Sequence, residues 1–390
     1  MNQDKQYANG FRLMRFEAAC YFELTKHIVS ILKQNEEKPC YGCQNGRNTF
    51  IVLGYQLDAA VFVYEYVKHV ALCYPEAASD FLQLPEYTNL EKVRNNIHTY
   101  FKKGNYANKS ETIVNHKLAK YKMDEPDFLY SLRNDLSLVF QISGHSRELI
   151  GSDYFIGHCI FETNREWTGE DYKEFGQFLA STIKSLGASV AETEFRLNSL
   201  SIPSSMPQIE LFDYKSPALY KDSPVSSVIA FRLLLMLYQI SYGLLLIEKL
   251  ITSESVADDE LWLCFLTKIL AMKYDESFDN LTSMLRYASA NDVSQINAVL
   301  QKNGLSTGAL RARSFARDLR NTIHYQEISL NEDLVEGNTP RELIVATYLT
   351  NAGVDTVQEF IEYKENMIAE MKTLQAVIRE IMNVDKEYQY

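Results

Sequence analysis

Glycine and proline are scarce in this chain, which holds 16 glycines and 9 prolines among its 390 residues. Because these residues form turns and interrupt helices, their scarcity favours helices joined by short loops. No glycine-rich phosphate loop of the Walker or dinucleotide type is present. The sequence therefore argues against the nucleotide-binding folds that depend on such a loop.

Disulfide-like cysteine spacing and positive net charge are also absent. The six cysteines show no spacing typical of a disulfide framework, which suits a reducing cytoplasm. The net charge of −12 opposes broad, non-specific binding of nucleic acid, although it is compatible with a small basic pocket for RNA. The N-terminal region has no uninterrupted apolar segment followed by a small-residue cleavage site, so no signal peptide is expected.

An uninterrupted apolar run of the length that spans a membrane is missing as well. The most apolar run extends from Leu233 to Ile247, is 15 residues long and is bounded by Arg232 and Glu248. A membrane-spanning helix needs about 20 residues. The run is therefore predicted to be a buried core helix, and no membrane association is expected.

Hydrophobic residues make up 46% of the chain, including 25 tyrosines and 20 phenylalanines, and their spacing is mostly helical. The sequence predicts an all-α fold. Its predicted helices span 8–34, 49–73, 88–103, 109–122, 127–143, 169–199, 225–252, 258–271, 275–289, 292–303, 306–326 and 354–384, with one more starting at Pro340. A short extended piece is predicted within 150–166, and Thr168 is the predicted N-cap of the helix that follows it.

Four of the nine prolines lie within 201–224, so this segment cannot form a regular helix and is the best candidate linker or crossover. The predicted organisation is an N-terminal helical unit with an insertion at 1–200 and a C-terminal helical unit at 225–390. A weak internal repeat, "FRLM" at 11–14 and "FRLLLM" at 231–236, indicates a degenerate tandem duplication of one helical bundle.

One polar pentapeptide, Arg-Asn-x-Ile-His, occurs twice in the chain, at 94–98 and at 320–324. Residues three, four and seven apart share a helix face. By this spacing two sets of side chains are each predicted to project from one face: Arg94, Asn95 and His98 in the first copy, and Arg317, Arg320, Asn321 and His324 in the second.

These residue types are suited to cleaving RNA without a metal ion. Histidine moves protons near neutral pH, and arginine stays charged and matches phosphate oxygens with its planar guanidinium group. Asparagine offers a donor and an acceptor that can hold a ribose or phosphate group. RNA supplies its own nucleophile, the 2′-hydroxyl beside the scissile phosphate. The expected chemistry is proton transfer by histidine and stabilisation of the charged phosphorus centre by arginine.

The stretch "RDLRNTIHYQ", at 317–326, resembles the signature helix of the HEPN superfamily, whose motif is Arg-x(4–6)-His. Arg317-x6-His324 fits this spacing, while Arg320-x3-His324 and Arg94-x3-His98 are shorter than the family pattern. The pair His324-Tyr325 is also similar to the KEN ribonucleases. The resemblance implies helical bundles of four or five helices, with two motifs facing each other in a composite site.

The resemblance further implies a metal-independent endoribonuclease that needs no cofactor and leaves 2′,3′-cyclic phosphate ends. Its substrate would be RNA, and its two motifs would meet within one chain or in a homodimer. The setting implied for such enzymes is bacterial anti-phage defence or toxin-type growth arrest, with an antitoxin or another defence protein as partner. In this reading the histidines handle protons, the arginines stabilise the phosphate, and the asparagines position groups.

Alternatives to catalysis stay open at this point. The two motifs could be ordinary helix turns whose arginines pair with nearby acids, in a catalytically inactive HEPN-like interaction protein. The single pair Cys40 and Cys43 lacks the second pair that a structural zinc site usually needs, so no metal site is predicted. Six lysines after the first motif could line a path for RNA or form an ordinary solvated face; they are Lys102, Lys103, Lys109, Lys117, Lys120 and Lys122.

Overall fold

The structure is a computed structural model, and it describes residues 3–35, 49–101, 138–143, 146–152, 167–201, 208–212, 223–251, 259–305, 315–325 and 339–382. Within these ranges it contains eleven α-helices and three β-strands: α1 Gln3–Asn35, α2 Thr49–Cys73, α3 Pro75–Leu82, α4 Pro85–Phe101, β1 Leu138–Ser143, β2 Ser146–Ser152, α5 Gly169–Val190, β3 Gln208–Phe212, α6 Ser227–Leu245, α7 Glu260–Tyr287, α8 Ala290–Lys302, α9 Arg317–Asn321, α10 Pro340–Ala352 and α11 Val357–Met382. Helices α5 and α6 each continue into one turn of π-helix, at Ala191–Phe195 and Leu246–Leu250.

The all-α prediction is confirmed for the body of the molecule, and the bounds of α2 match the predicted helix 49–73. One predicted break was wrong. The predicted helices 258–271 and 275–289 are a single helix, α7, because the residues between them include neither glycine nor proline and the helical hydrogen bonds continue.

A small antiparallel sheet with the strand order β2-β1-β3 is the one sheet in the described ranges. The predicted helix 127–143 was wrong at its C-terminal end, where β1 pairs with both neighbours. The sequence of β1, "LVFQIS", is rich in β-branched and aromatic residues, which fit a pleated strand. The predicted helix 109–122 and most of the predicted extended piece 150–166 lie outside the described residues.

Side-chain caps define where two of the helices begin. Thr168 accepts a hydrogen bond from the Asp171 backbone N–H, and the Asp171 carboxylate accepts from the Thr168 backbone, so the predicted N-cap is a full capping box. Thr339 and Glu342 form the same arrangement at α10, where Pro340 occupies the first helical position. These caps satisfy backbone donors that the first helical turn otherwise leaves unpaired.

Helix α6 forms the centre of the core, packed against α7 and α11. In the described part of the chain, Ser227–Leu250 is apolar and long enough to cross a membrane, but 94% of its most apolar stretch is buried inside the protein. This burial confirms the predicted buried core helix. Helices from both sides of 201–224 contribute to the same hydrophobic core, while the division into two units and the tandem duplication stay predictions.

Helix α1 packs closely against α5, and a glycine makes that approach possible. A Cβ atom at Gly187 would lie 2.1 Å from the backbone oxygen of Ala18, so any side chain would force the two helices apart. Gly176, on the same helix, faces the flexible end of the Gln56 side chain instead. The two glycines therefore differ in what a methyl group would displace.

We expect Gly187→Ala to lower the free energy of unfolding by about 1–3 kcal/mol, because the added methyl group overpacks a backbone contact. Gly176→Ala is the matched control. Its gain in helix propensity of about 1 kcal/mol should offset the displacement of Gln56, leaving a small net change. Urea denaturation of both variants measures the difference, and equal losses would contradict the close α1–α5 contact.

Candidate functional site

The first motif lies on α4, whose buried face includes Val93 and Ile97. Arg94 projects from this helix towards α2, where its Nη2 and Nε atoms donate to Oε1 of Glu65 at 3.1 and 3.3 Å. Asn95 is exposed and is not among the residues that line the cleft described below. The backbone of His98 lies in the last turns of α4, but its side chain lies outside the described part of the structure.

The second motif differs from the predicted long helix 306–326. Within the described residues 315–325, α9 has only five residues, and a turn follows in which the His324 backbone N–H donates to the carbonyl of Asn321 at 2.9 Å. At the end of this helix, the hydroxyl of Thr322 donates to the carbonyl of Leu319. Because His324 lies beyond the helix end, the predicted helical face does not extend to it.

The two arginines and the histidine of the second motif contact three different acids. Arg317 is half exposed and forms an ion pair with Asp279. Arg320 is buried and lies 2.9 Å from Asp275. His324 turns towards Glu65. The structure thus brings together Arg94, Arg320 and His324 at one cleft, whereas Arg317, Asn321 and Asn95 do not line it.

Glu65 is the point at which the two motifs meet. Its side chain is only 1% exposed, and its two oxygens face different motifs: Oε1 accepts from Arg94, and Oε2 lies 3.6 Å from Nδ1 of His324. At 3.6 Å the second contact is an electrostatic one, slightly longer than a hydrogen bond. Two motifs separated by more than two hundred residues in sequence therefore converge on one carboxylate.

The charge state of Glu65 follows from its neighbours. Burial alone would raise the pKa of this carboxyl group, but the contact with His324 and the positive charges of Lys68 and Arg94 outweigh it. The net pKa of Glu65 lies below its usual value, and the group is a carboxylate at neutral pH. A buried negative charge therefore faces His324 and Arg94.

The cleft around these side chains is small and is lined by both acidic and basic side chains. Its free volume is about 60 Å³, which corresponds to only a few water molecules. It is lined by Leu57, Asp58, Val61, Glu65, Arg94, Ile97, Gln239, Met272, Lys273, Glu276, Arg320, Ile323 and His324. Lys273 donates to Asp58 at 2.8 Å, so the cleft wall contains a second ion pair.

Several buried polar atoms in the wall of this cleft lack hydrogen-bond partners among the described residues. Among the described residues, four such buried atoms belong to residues of its lining: Asp58 Oδ2, Glu65 Oε2, Arg320 Nε and His324 Nδ1. Buried polar groups in native proteins are nearly always paired, so a cluster of unsatisfied ones is a mark of a binding or catalytic site. The cluster includes both donors and acceptors of hydrogen bonds.

A buried network under the cleft fixes the position of His324. The hydroxyl of the next residue, Tyr325, donates to Glu17 at 2.7 Å, and Tyr348 donates to the other oxygen of the same carboxylate at 2.9 Å. Lys268 also pairs with Glu17. On α1, a Cβ atom at Gly10 would lie 2.3 Å from the Tyr325 carbonyl oxygen, so only glycine allows this approach.

Sequence reasoning missed Glu65, Asp58, Lys273 and Glu17. The signal that could have found them is a charged residue within an otherwise apolar helix, as with Glu65 in "VFVYEYVKHV". A charge buried in such a helix needs a partner. The partner's identity depends on tertiary structure, which periodicity does not reveal.

Several predicted features lie on residues that the structure does not describe. The six lysines that follow the first motif, together with Cys40 and Cys43, lie outside the described residues. In the part of the chain that the structure describes, no group of three or more histidine, cysteine, aspartate or glutamate side chains could hold a metal ion.

The shared carboxylate of Glu17 predicts a measurable coupling between two tyrosines. We expect Tyr325→Phe and Tyr348→Phe each to lower the free energy of unfolding by about 1.5–3 kcal/mol, because each removes a hydrogen bond to a charged acceptor. Since both serve one carboxylate, the double variant should deviate from additivity by more than about 0.5 kcal/mol.

Tyr363→Phe serves as the control, because the Tyr363 hydroxyl donates to the backbone oxygen of Phe315 at 3.3 Å, an uncharged acceptor. Its loss should be about 0.5–1.5 kcal/mol. Guanidinium denaturation of the four variants tests the network, and additive losses for the Tyr325 and Tyr348 pair would contradict it.

Comparison of the chain with protein-family models, with curated proteins and with solved structures gave no match.

Proposed function

We propose that the chain is a metal-independent endoribonuclease of HEPN type. The observation that carries the proposal is the convergence of Arg94 and His324, one from each copy of the repeated pentapeptide, on Glu65. A composite site built from two motifs is what the sequence resemblance implies. In this chain both motifs belong to one polypeptide, so the convergence needs no second copy.

The cleft supplies the groups that the reaction requires. His324 would take the proton of the ribose 2′-hydroxyl, whose oxygen attacks the adjacent phosphorus. The bond from phosphorus to the 5′-oxygen then breaks, which leaves a 2′,3′-cyclic phosphate and a 5′-hydroxyl end. The leaving oxygen needs a proton, and His98 is the candidate donor from the first motif.

Arg94 has N–H groups that Glu65 does not bind and that can donate to the phosphate. Glu65 engages its Nε and Nη2 atoms, which leaves the N–H groups of Nη1 for an oxygen of the scissile phosphate. The side chains of Arg94 and His324 are 20% and 23% exposed, so RNA can reach both from solvent. Because the cleft holds only a few waters, RNA would bind at its opening, with the phosphate directed towards these two residues.

The second candidate is a catalytically inactive HEPN-like protein that binds partners through its helices. One observation favours it: every guanidinium group of the two motifs already pairs with a carboxylate, Arg94 with Glu65, Arg320 with Asp275 and Arg317 with Asp279. The two candidates differ in one measurable property, namely RNA cleavage.

We expect the purified protein to cleave RNA in the presence of a chelator and to leave 2′,3′-cyclic phosphate ends. His324→Ala should reduce the rate by about 10²–10⁴-fold, the usual contribution of a general base. Arg94→Ala should also reduce it strongly, because the phosphate loses its charged donor. Gel analysis of a labelled RNA before and after treatment that opens cyclic phosphates gives both readouts.

Arg286→Ala is a suitable control, because Arg286 is exposed at the end of α7 and does not line the cleft. Arg320→Ala is less informative, since it removes a cation that pairs with the buried Asp275 and should cost about 3–5 kcal/mol of stability. Cleavage that persists at the wild-type rate in both His324→Ala and Arg94→Ala would refute the proposal. Absence of cleavage by the folded wild-type protein would favour the interaction protein.

A setting in anti-phage defence or growth arrest, with an antitoxin or defence protein as partner, belongs to the same proposal and is supported by the sequence resemblance alone. The same holds for cytoplasmic location and for a homodimer. The repeated pentapeptide within one chain is compatible with either a monomer or a dimer.

A further inference from the structure

The environment of His324 differs sharply between the two ring nitrogens. Nδ1 is buried and faces Oε2 of Glu65 at 3.6 Å, and neither atom has a hydrogen-bond partner among the described residues. Because Nδ1 is buried, the exposed fraction of the His324 side chain comes from the other ring atoms. The Nε2 edge is the part of the imidazole that is left to meet a substrate.

The two oxygens of Glu65 are held by different partners. Oε1 accepts both hydrogen bonds from Arg94, which hold this oxygen in place. Oε2 is left for His324, with Lys68 Nζ at 3.8 Å as a second, more distant cation. A carboxylate can only accept hydrogen bonds, so Nδ1 must be the donor when the two groups close the remaining few tenths of an ångström.

We infer that Glu65 is the positioning residue of His324: its carboxylate keeps the proton of the neutral imidazole on Nδ1, so that Nε2 presents a lone pair to the RNA 2′-hydroxyl. This inference rests on the proposed function for its catalytic consequence, but not for the tautomer itself. In the opposite tautomer Nε2 carries the proton and cannot accept another. Glu65 therefore decides whether His324 is a competent base.

Arg94 of the first motif then also helps to orient His324. By binding Oε1 through two donors, Arg94 directs the other oxygen of Glu65 at His324. The first copy of the pentapeptide thereby orients the histidine of the second copy through a residue that belongs to neither. This indirect role is additional to the phosphate contact proposed for Arg94.

Glu65→Gln tests the inference with almost no change in shape. The two donors of Arg94 should retain the amide oxygen, which places the amide NH₂ group opposite Nδ1 of His324. Nδ1 must then accept a hydrogen bond, and the proton of the neutral ring moves to Nε2. We expect the histidine tautomer to switch and kcat for RNA cleavage to fall by about 10²–10⁴-fold, while KM changes less than threefold.

The tautomer is read from long-range ¹H–¹⁵N correlations of the ring in protein labelled with ¹⁵N-histidine. Comparison with His324→Ala identifies the His324 signals among those of the seven histidines. Thermal unfolding confirms that each variant is folded at the temperature of measurement. Glu23→Gln is the matched control, because Glu23 is also buried and pairs with Lys26, but it does not line the cleft.

The outcomes separate this inference from the proposed function. A neutral His324 that carries its proton on Nε2 in the wild-type protein would overturn the inference whatever the activity. Wild-type cleavage by Glu65→Gln would overturn it as well. If the wild-type protein has the Nδ1 proton, and Glu65→Gln moves it, but no RNA is cleaved, the positioning role of Glu65 stands and the endoribonuclease proposal fails.

Discussion

The buried carboxylate of Glu65 is the interaction on which the arrangement of the two motifs depends. A carboxylate that is 1% exposed loses nearly all of its hydration, and this loss is tolerable only where cations and donors replace the water. Arg94 and His324 are those replacements. The need to compensate one buried charge thus brings together α2, α4 and the turn after α9.

A second buried carboxylate, Glu17, holds the residue that follows His324. It binds Lys268 and two tyrosine hydroxyls, so helices α1, α7 and α10 and the residue after His324 are tied to one charge. Because Tyr325 follows His324 directly, this network limits how far the histidine can move. Glu17 therefore fixes the backbone position of the turn, and Glu65 contacts the His324 side chain that the turn presents.

Much of the helical layout could be predicted from the sequence, because apolar periodicity and caps such as Thr168 are local properties. The long helix predicted over 306–326 shows the limit of such reasoning. A spacing of three and four residues is compatible with a helix, but α9 ends at Asn321, and Tyr325 four residues later is held by a tertiary hydrogen bond to Glu17. The repeated pentapeptide identified Arg94 and His324. Their common partner, Glu65, could not be predicted, because its role depends on contacts between distant segments.

The position of His324 in a turn affects how much change in the neighbouring sequence its contact with Glu65 can tolerate. A residue inside a helix is bound to the 3.6-residue period, so one insertion rotates it by about 100° away from its partners. A residue beyond the helix end is free of this constraint, and its tertiary anchors restore its position after a change in loop length. The interval between Arg320 and His324 can therefore change without moving the histidine away from Glu65, as long as Tyr325 keeps its hydrogen bond to Glu17.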